Sequence, residues 1–204
     1  MGRNFSSVLS VFRVAPTVIF TIAVTTASLA ESPPKKHVIS REPGRWMASF
    51  SALGDIPLNK QVRDNFRSGL GVGARVGYGF LNGLSVETEF QYDLLFREGG
   101  SNRISENKNL FSLTPGLRYT VDFLPDMSWH VLALFGSTYD YTRDINSRFC
   151  LSYAVGTGLD FGLTENLFVG PTVRYRHVIE QRKRPLDMDV KLLSFGVSAS
   201  YLYD

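Results

Sequence analysis

The chain has 204 residues, with 22 Lys and Arg against 19 Asp and Glu, for a formal charge of +3. That length suits one domain of ordinary size. The small charge excess and the single cysteine, Cys150, argue against a nucleic-acid surface, a disulfide scaffold and a cysteine-based zinc site.

The first segment reads as an export signal. Arg3 and Arg13 precede the apolar run VAPTVIFTIAVTTASLA (14–30), which ends on the small residues Ser28 and Ala30 at the −3 and −1 positions of a cleavage site. Pro16 and several threonines make the run a poor spanning helix. Loss of Arg3 and Arg13 leaves the remainder near +1. Residues 31–44, ESPPKKHVISREPG, are charged and aperiodic, and read as a flexible periplasmic lead-in.

From Arg45 to Asp204 the sequence alternates with a period of two in about eight segments, the mark of strands with unlike faces. The first sets Trp46, Ala48, Phe50 and Ala52 against Met47, Ser49 and Ser51. The second, GLGVGARVGYGF (69–80), sets an unbroken apolar face against glycines and Arg75. The third opposes Val86, Phe90, Tyr92 and Leu94 to Ser85, Glu87, Glu89, Gln91 and Asp93. The fourth opposes Phe111, Leu113, Leu117 and Tyr119 to Ser112, Thr114, Gly116 and Arg118. The fifth, 129–139, is apolar on both faces through Leu132 and Leu134, and its orientation stays open. The sixth puts Tyr153, Val155 and Leu159 opposite Ser152, Gly156 and Asp160. The seventh puts Val169, Val173 and Tyr175 opposite Thr172, Arg174 and Arg176, and the eighth puts Phe195, Val197 and Tyr201 opposite Ser194, Ser198 and Ser200. Short turns at 81–83, 123–128 and 162–166 alternate with longer charged stretches at 54–68, 97–109, 140–149 and 180–190. That alternation predicts an all-β, eight-stranded up-and-down antiparallel barrel.

Two such barrels differ in which face is outside. A secreted, lipocalin-like barrel wraps its apolar face around a ligand, whereas a transmembrane β-barrel turns that face to lipid. The polar faces of segments two, six and eight carry Gly, Ser and Ala, with Arg75 and Asp160 as their charges, too bland for a water-exposed wall and suited to a crowded interior. Arg75, Glu87, Glu89, Arg118, Asp160, Arg174 and Arg176 are then expected inside, paired by opposite charge. The aromatic residues fall into two groups in this meander. Tyr78, Phe80, Tyr119, Trp129, Phe161, Tyr201 and Tyr203 lie toward the short turns; Tyr92, Phe96, Phe111, Tyr139, Tyr141 and Tyr175 lie toward the long connections. Two such belts mark the two interfaces of a bilayer.

The stretch GLGVGARVGYGFLNGLSVETEFQY (69–92) and the closing LLSFGVSASYLY (192–203) resemble the small outer-membrane β-barrel family, which includes outer membrane protein A barrels and the opacity-type and X-type proteins. The resemblance implies residence in a Gram-negative outer membrane, reached through the outer-membrane assembly machinery. Members commonly end on an aromatic residue, and this chain ends Tyr203-Asp204.

The expected role is therefore non-enzymatic: structural, surface-interacting or a narrow pore, with no cofactor, metal or nucleic-acid partner. Partners are outer-membrane lipids and lipopolysaccharide, whose phosphates Arg182, Lys183 and Arg184 could contact. The alternatives are a lipid-modifying outer-membrane enzyme and the secreted ligand-binding barrel. His130 and His177 read as residues near opposite rims, and no Ser–His–acid spacing favours catalysis.

Overall fold

Strict alternation of side chains gives each strand one apolar and one polar face, and closing the sheet turns all faces of one kind inward together. The computed structural model describes residues 43–98, 107–124, 126–142, 145–179 and 189–203. The segment expected to be an export signal, most of the expected lead-in and the basic triplet 182–184 lie outside the described residues. Eight strands follow in chain order: β1 (Trp46–Pro57), β2 (Phe66–Leu81), β3 (Leu84–Arg97), β4 (Lys108–Leu124), β5 (Met127–Thr142), β6 (Ile145–Gly162), β7 (Leu167–Ile179) and β8 (Val190–Tyr203). Each pairs antiparallel with its sequence neighbours, and β1 pairs with β8 from Trp46↔Tyr203 to Pro57↔Leu192. The expected up-and-down barrel is therefore present and closed, with no free edge.

Two stretches expected as loops are strand in part. β1 runs on to Pro57 and β2 starts at Phe66, with only a four-residue helix, α1 (Lys60–Arg63), near the apex. Residues 140–142 and 145–149 belong to the end of a long β5–β6 hairpin, with Asp140 opposite Arg148 and Tyr139 opposite Phe149. Charge misled the reading: Asp55, Lys108 and Asp140 point into the barrel and are buried, so they continue the inward face instead of ending it.

The fifth strand now has an orientation. Trp129, Val131 and Phe135 face outward, while Ser128, His130, Leu132 and Leu134 are buried inside. Leu132 and Leu134 pack against Ala154 of β6, which explains why both faces look apolar.

The outer wall is an apolar band between two aromatic rims. At the short-turn end, Trp46 pairs with both Tyr78 and Tyr203, and Tyr201 lies beside Leu167. Trp129 Nε1 there donates to Thr157 Oγ1 at 2.7 Å. At the other end Tyr92, Phe111, Tyr139 and Phe149 form one row across β3 to β6. Tyr92 OH donates to Asn109 Oδ1 at 2.7 Å. Phe50, Val72, Val76, Phe90, Leu113, Leu117 and Val155 fill the band between, each at least 48% exposed.

The glycine face of β2 has a steric cause. A Cβ on Gly71 would sit 2.6 Å from Asp93 Oδ1 and 3.1 Å from Asp55 Oδ2, and one on Gly77 would sit 2.8 Å from Glu87 Cγ. The large interior side chains occupy the space that a side chain on these residues would need. Gly71→Val is expected to destabilise the barrel by about 1–3 kcal/mol through this overpacking, read as a lower urea midpoint in detergent; an unchanged midpoint would show that Asp93 has room to move. Gly83 serves differently: it closes the β2–β3 turn at φ +73°, where a Cβ would also lie 2.4 Å from Thr120 O.

Candidate functional site: the barrel lumen

β3 supplies a column of acids because Glu87, Glu89, Gln91 and Asp93 share one parity along the strand. The cations come from other strands: Arg75 from adjacent β2, Arg118 from adjacent β4, and Arg174 and Arg176 from β7. β7 lies four strands from β3 in either direction around the eight, so the bridges between them cross the lumen.

These groups form one continuous chain along the axis. Near the short-turn end Arg118 bridges Asp160, and His130 Nδ1 lies 3.0 Å from the same Asp160 Oδ2. Arg118 Nη1 also lies 3.7 Å from Glu87 Oε1. Glu87 Oε2 accepts from Arg75 Nη1 at 3.1 Å, and Arg75 Nε lies 3.3 Å from Glu89 Oε2. Glu89 meets Arg174 Nη1 at 2.5 Å and Arg176 Nη2 at 3.5 Å. Arg176 Nη1 continues to Asp93 Oδ2 at 2.5 Å and its Nη2 donates to Gln91. Asp55 closes the series beside Ser194, whose hydroxyl donates to Asp55 Oδ1 at 2.5 Å. Arg118, Glu87, Glu89, Asp93 and Asp160 are all fully buried. A buried charge costs several kcal/mol unless paired and hydrogen-bonded, so the members of this chain depend on one another.

Apolar clusters lie at both ends of the charged column. Toward the loops, Phe66, Leu95, Leu110, Val178 and Leu192 pack with Val62, which α1 inserts into the mouth. Toward the short turns, Met47, Phe168 and Leu202 pack together. The β1–β2 connection is fastened over the mouth: Leu58 N–H donates to Lys191 O at 2.8 Å, and Lys191 N–H donates to Asn59 Oδ1 at 3.2 Å. Lys108 and Asp140 pair at 2.5 Å at the upper end of the lumen.

All seven charges singled out in the sequence lie within the lumen and touch one another. Several partners were missed. Asp93 shares the parity of Glu87 and Glu89, and Asp55 continues the parity of Met47 to Leu53, so alternation alone marks both. Lys108 and Asp140 were hidden in stretches read as loops. His130 is not at the membrane interface but inside, because the fifth strand could not be oriented. His177 does face outward near the loop-side rim, 3.2 Å from Tyr153 OH. Cys150 is buried in the upper apolar cluster.

An apolar outer wall between aromatic rims, around a charged and filled interior, defines a transmembrane β-barrel. The chain belongs to the outer membrane protein beta-barrel domain family, whose model matches residues 19–201. It is an outer-membrane protein. With Leu70 and Val72 about 60% exposed while Arg75 and Glu87 are buried, the secreted lipocalin-like alternative is overturned.

Solved structures share this fold. The attachment invasion locus protein of Yersinia pestis is 21% identical, with a TM-score of 0.50 over 79% of this chain and 100% of that one. Neisserial surface protein A is 14% identical, with a TM-score of 0.58 over 78% and 97%. OprG from Pseudomonas aeruginosa is 12% identical, with a TM-score of 0.56 over 79% and 97%. No curated protein sequence matches the chain.

Proposed function

We propose that this protein is a non-enzymatic outer-membrane barrel that acts as a rigid, non-conducting support for a lipopolysaccharide-contacting outer surface. The observation that carries the reading is the unbroken ion-pair chain from Asp160 to Asp93 between two apolar clusters. Such a lumen resists ion passage twice, by electrostatic crosslinking and by dehydrated ends. In planar bilayers the wild-type barrel is expected to show no steady channel. Removing Glu87 and Glu89 together, with Val62→Gly to loosen the upper cluster, is expected to open discrete conductance steps. A wild type that already conducts would favour the narrow-pore role instead.

Residues 1–30 serve as the export signal in this reading, so the protein recovered from outer membranes should begin at Glu31. The assembly machinery inserts the barrel, and Arg182, Lys183 and Arg184 contact lipopolysaccharide phosphates. Against a lipid-modifying enzyme stands the engagement of His130 by Asp160 and Arg118 deep in the lumen. Mass spectra of lipid A from cells with and without the protein should be the same, and a new modified species would reverse this assignment.

A further inference from the structure

Asp55 is the exception in the lumen. Every other buried carboxylate among the described residues meets an Arg or Lys at 3.1 Å or closer. Asp55 is just as buried, yet among the described residues no cation pairs with it: Oδ1 accepts from Ser194 and Oδ2 faces no donor. Its neighbour across the wall is another acid. β2 runs between β1 and β3, but Gly71 has no side chain to part them. The position of a Cβ there lies 2.6 Å from Asp93 Oδ1 and 3.1 Å from Asp55 Oδ2. The two carboxyl groups meet over Gly71, joined by a side-chain hydrogen bond. Such a bond between two acids requires a proton on one of them.

The surroundings do not supply another positive charge. The charged groups acting on the pair are Glu89 of β3 and Arg174 and Arg176 of β7; β2 contributes glycine and β8 the Ser194 hydroxyl. Arg174 is taken up by Glu89, and Arg176 by Glu89 and Asp93. Two carboxylates held together repel when both ionise, so one proton between them is favoured. A metal ion such as calcium seeks about six oxygens, whereas here two converge and the Gln91 amide nitrogen lies beside them, 3.3 Å from the same Cβ position. We propose that Asp55 and Asp93 share one proton and act as a proton-dependent clasp between β1 and β3 at the loop-side end of the lumen. Pro57 ends β1 two residues beyond Asp55, where the connection bearing α1 and Val62 begins. Loss of the proton to solvent leaves two like charges over Gly71 and loosens the root of that connection.

The test compares the purified full barrel with Asp55→Asn, whose amide N–H donates to Asp93 at every pH. Urea midpoints in detergent are read from about pH 6 to about pH 9, above the ordinary carboxyl range. The folded pair holds a proton that the unfolded chain has already released, so wild-type stability falls as pH rises. One such proton lowers the folding equilibrium constant by up to about tenfold per pH unit. Asp55→Asn should flatten this slope and overtake the wild type at the alkaline end. Infrared spectra with isotope-labelled aspartate carboxyls should show a protonated-acid band in the wild type at neutral pH, lost at alkaline pH and absent from Asp55→Asn. Gel mobility before and after boiling checks folding, and if the variant does not fold the wild-type spectrum decides alone. Coincident pH profiles, or a wild-type spectrum without the acid band, overturn the clasp. A wild-type midpoint that responds to added calcium and not to pH overturns it in favour of a metal ion.

Discussion

Glu89→Ala is expected to be the most damaging single change in the lumen. One carboxylate faces three guanidinium groups, Arg75 at 3.3 Å, Arg174 at 2.5 Å and Arg176 at 3.5 Å. Arginine cannot shed its proton, so removal leaves excess positive charge in a buried space. Breaking a buried pair from one side costs about 3–5 kcal/mol. The loss should appear as a lower urea midpoint, followed by the gel shift between folded and boiled forms. Glu89→Gln keeps the shape and should fall between wild type and alanine. Replacing Glu89 and Arg174 together with leucine should recover part of the loss, because fewer charges are then left unpaired. A loss for Glu89→Ala no larger than that of an exposed ion pair, about 1 kcal/mol or less, would mean that water reaches the lumen and solvates the arginines.

The second large effect lies on the other face. Ala74 points outward in the middle of the band, between Phe50 and Phe90. Ala74→Arg is expected to cost about 2–4 kcal/mol when the barrel unfolds from lipid, as a lipid-facing arginine does near the midplane. The same change at Leu58, on the β1–β2 connection above the band, should cost less than about 1 kcal/mol. Equal small costs at both sites would contradict a lipid-facing Ala74.

Most of the fold was legible because a two-residue period leaves no freedom once one face is assigned. From Leu70 to Phe80 of β2 and from Leu84 to Phe96 of β3 each outward residue is apolar, aromatic or small, so facing followed directly. The reading failed where the usual meaning of charge is reversed. Asp55, Lys108 and Asp140 look like loop residues in a soluble protein, yet in a barrel whose charges are inside they extend the strands. β5 failed for the opposite reason: Leu132 and Leu134 line the lumen against Ala154, which erases the contrast between faces and hides His130 with them.

The candidate site was legible in membership but not in pairing. Alternation places Glu89 and Arg174 on inward faces, and strand count places β3 opposite β7. Their contact spans 85 positions of sequence and depends on how far each side chain reaches across a closed cylinder. The upper seal was invisible for a similar reason, since Val62 belongs to a single helical turn with no period to reveal it.

The central claim is tested most directly by nuclear Overhauser contacts between lipid acyl protons and assigned methyl groups of the barrel in bilayer nanodiscs. Methyls of Val72, Val76, Leu113 and Val155 should all show acyl-chain contacts, and those of Leu95, Leu110, Leu132, Leu134 and Val178 should show none. Acyl contacts from Leu132 or Leu134, with silence from Val76 and Leu113, would contradict it.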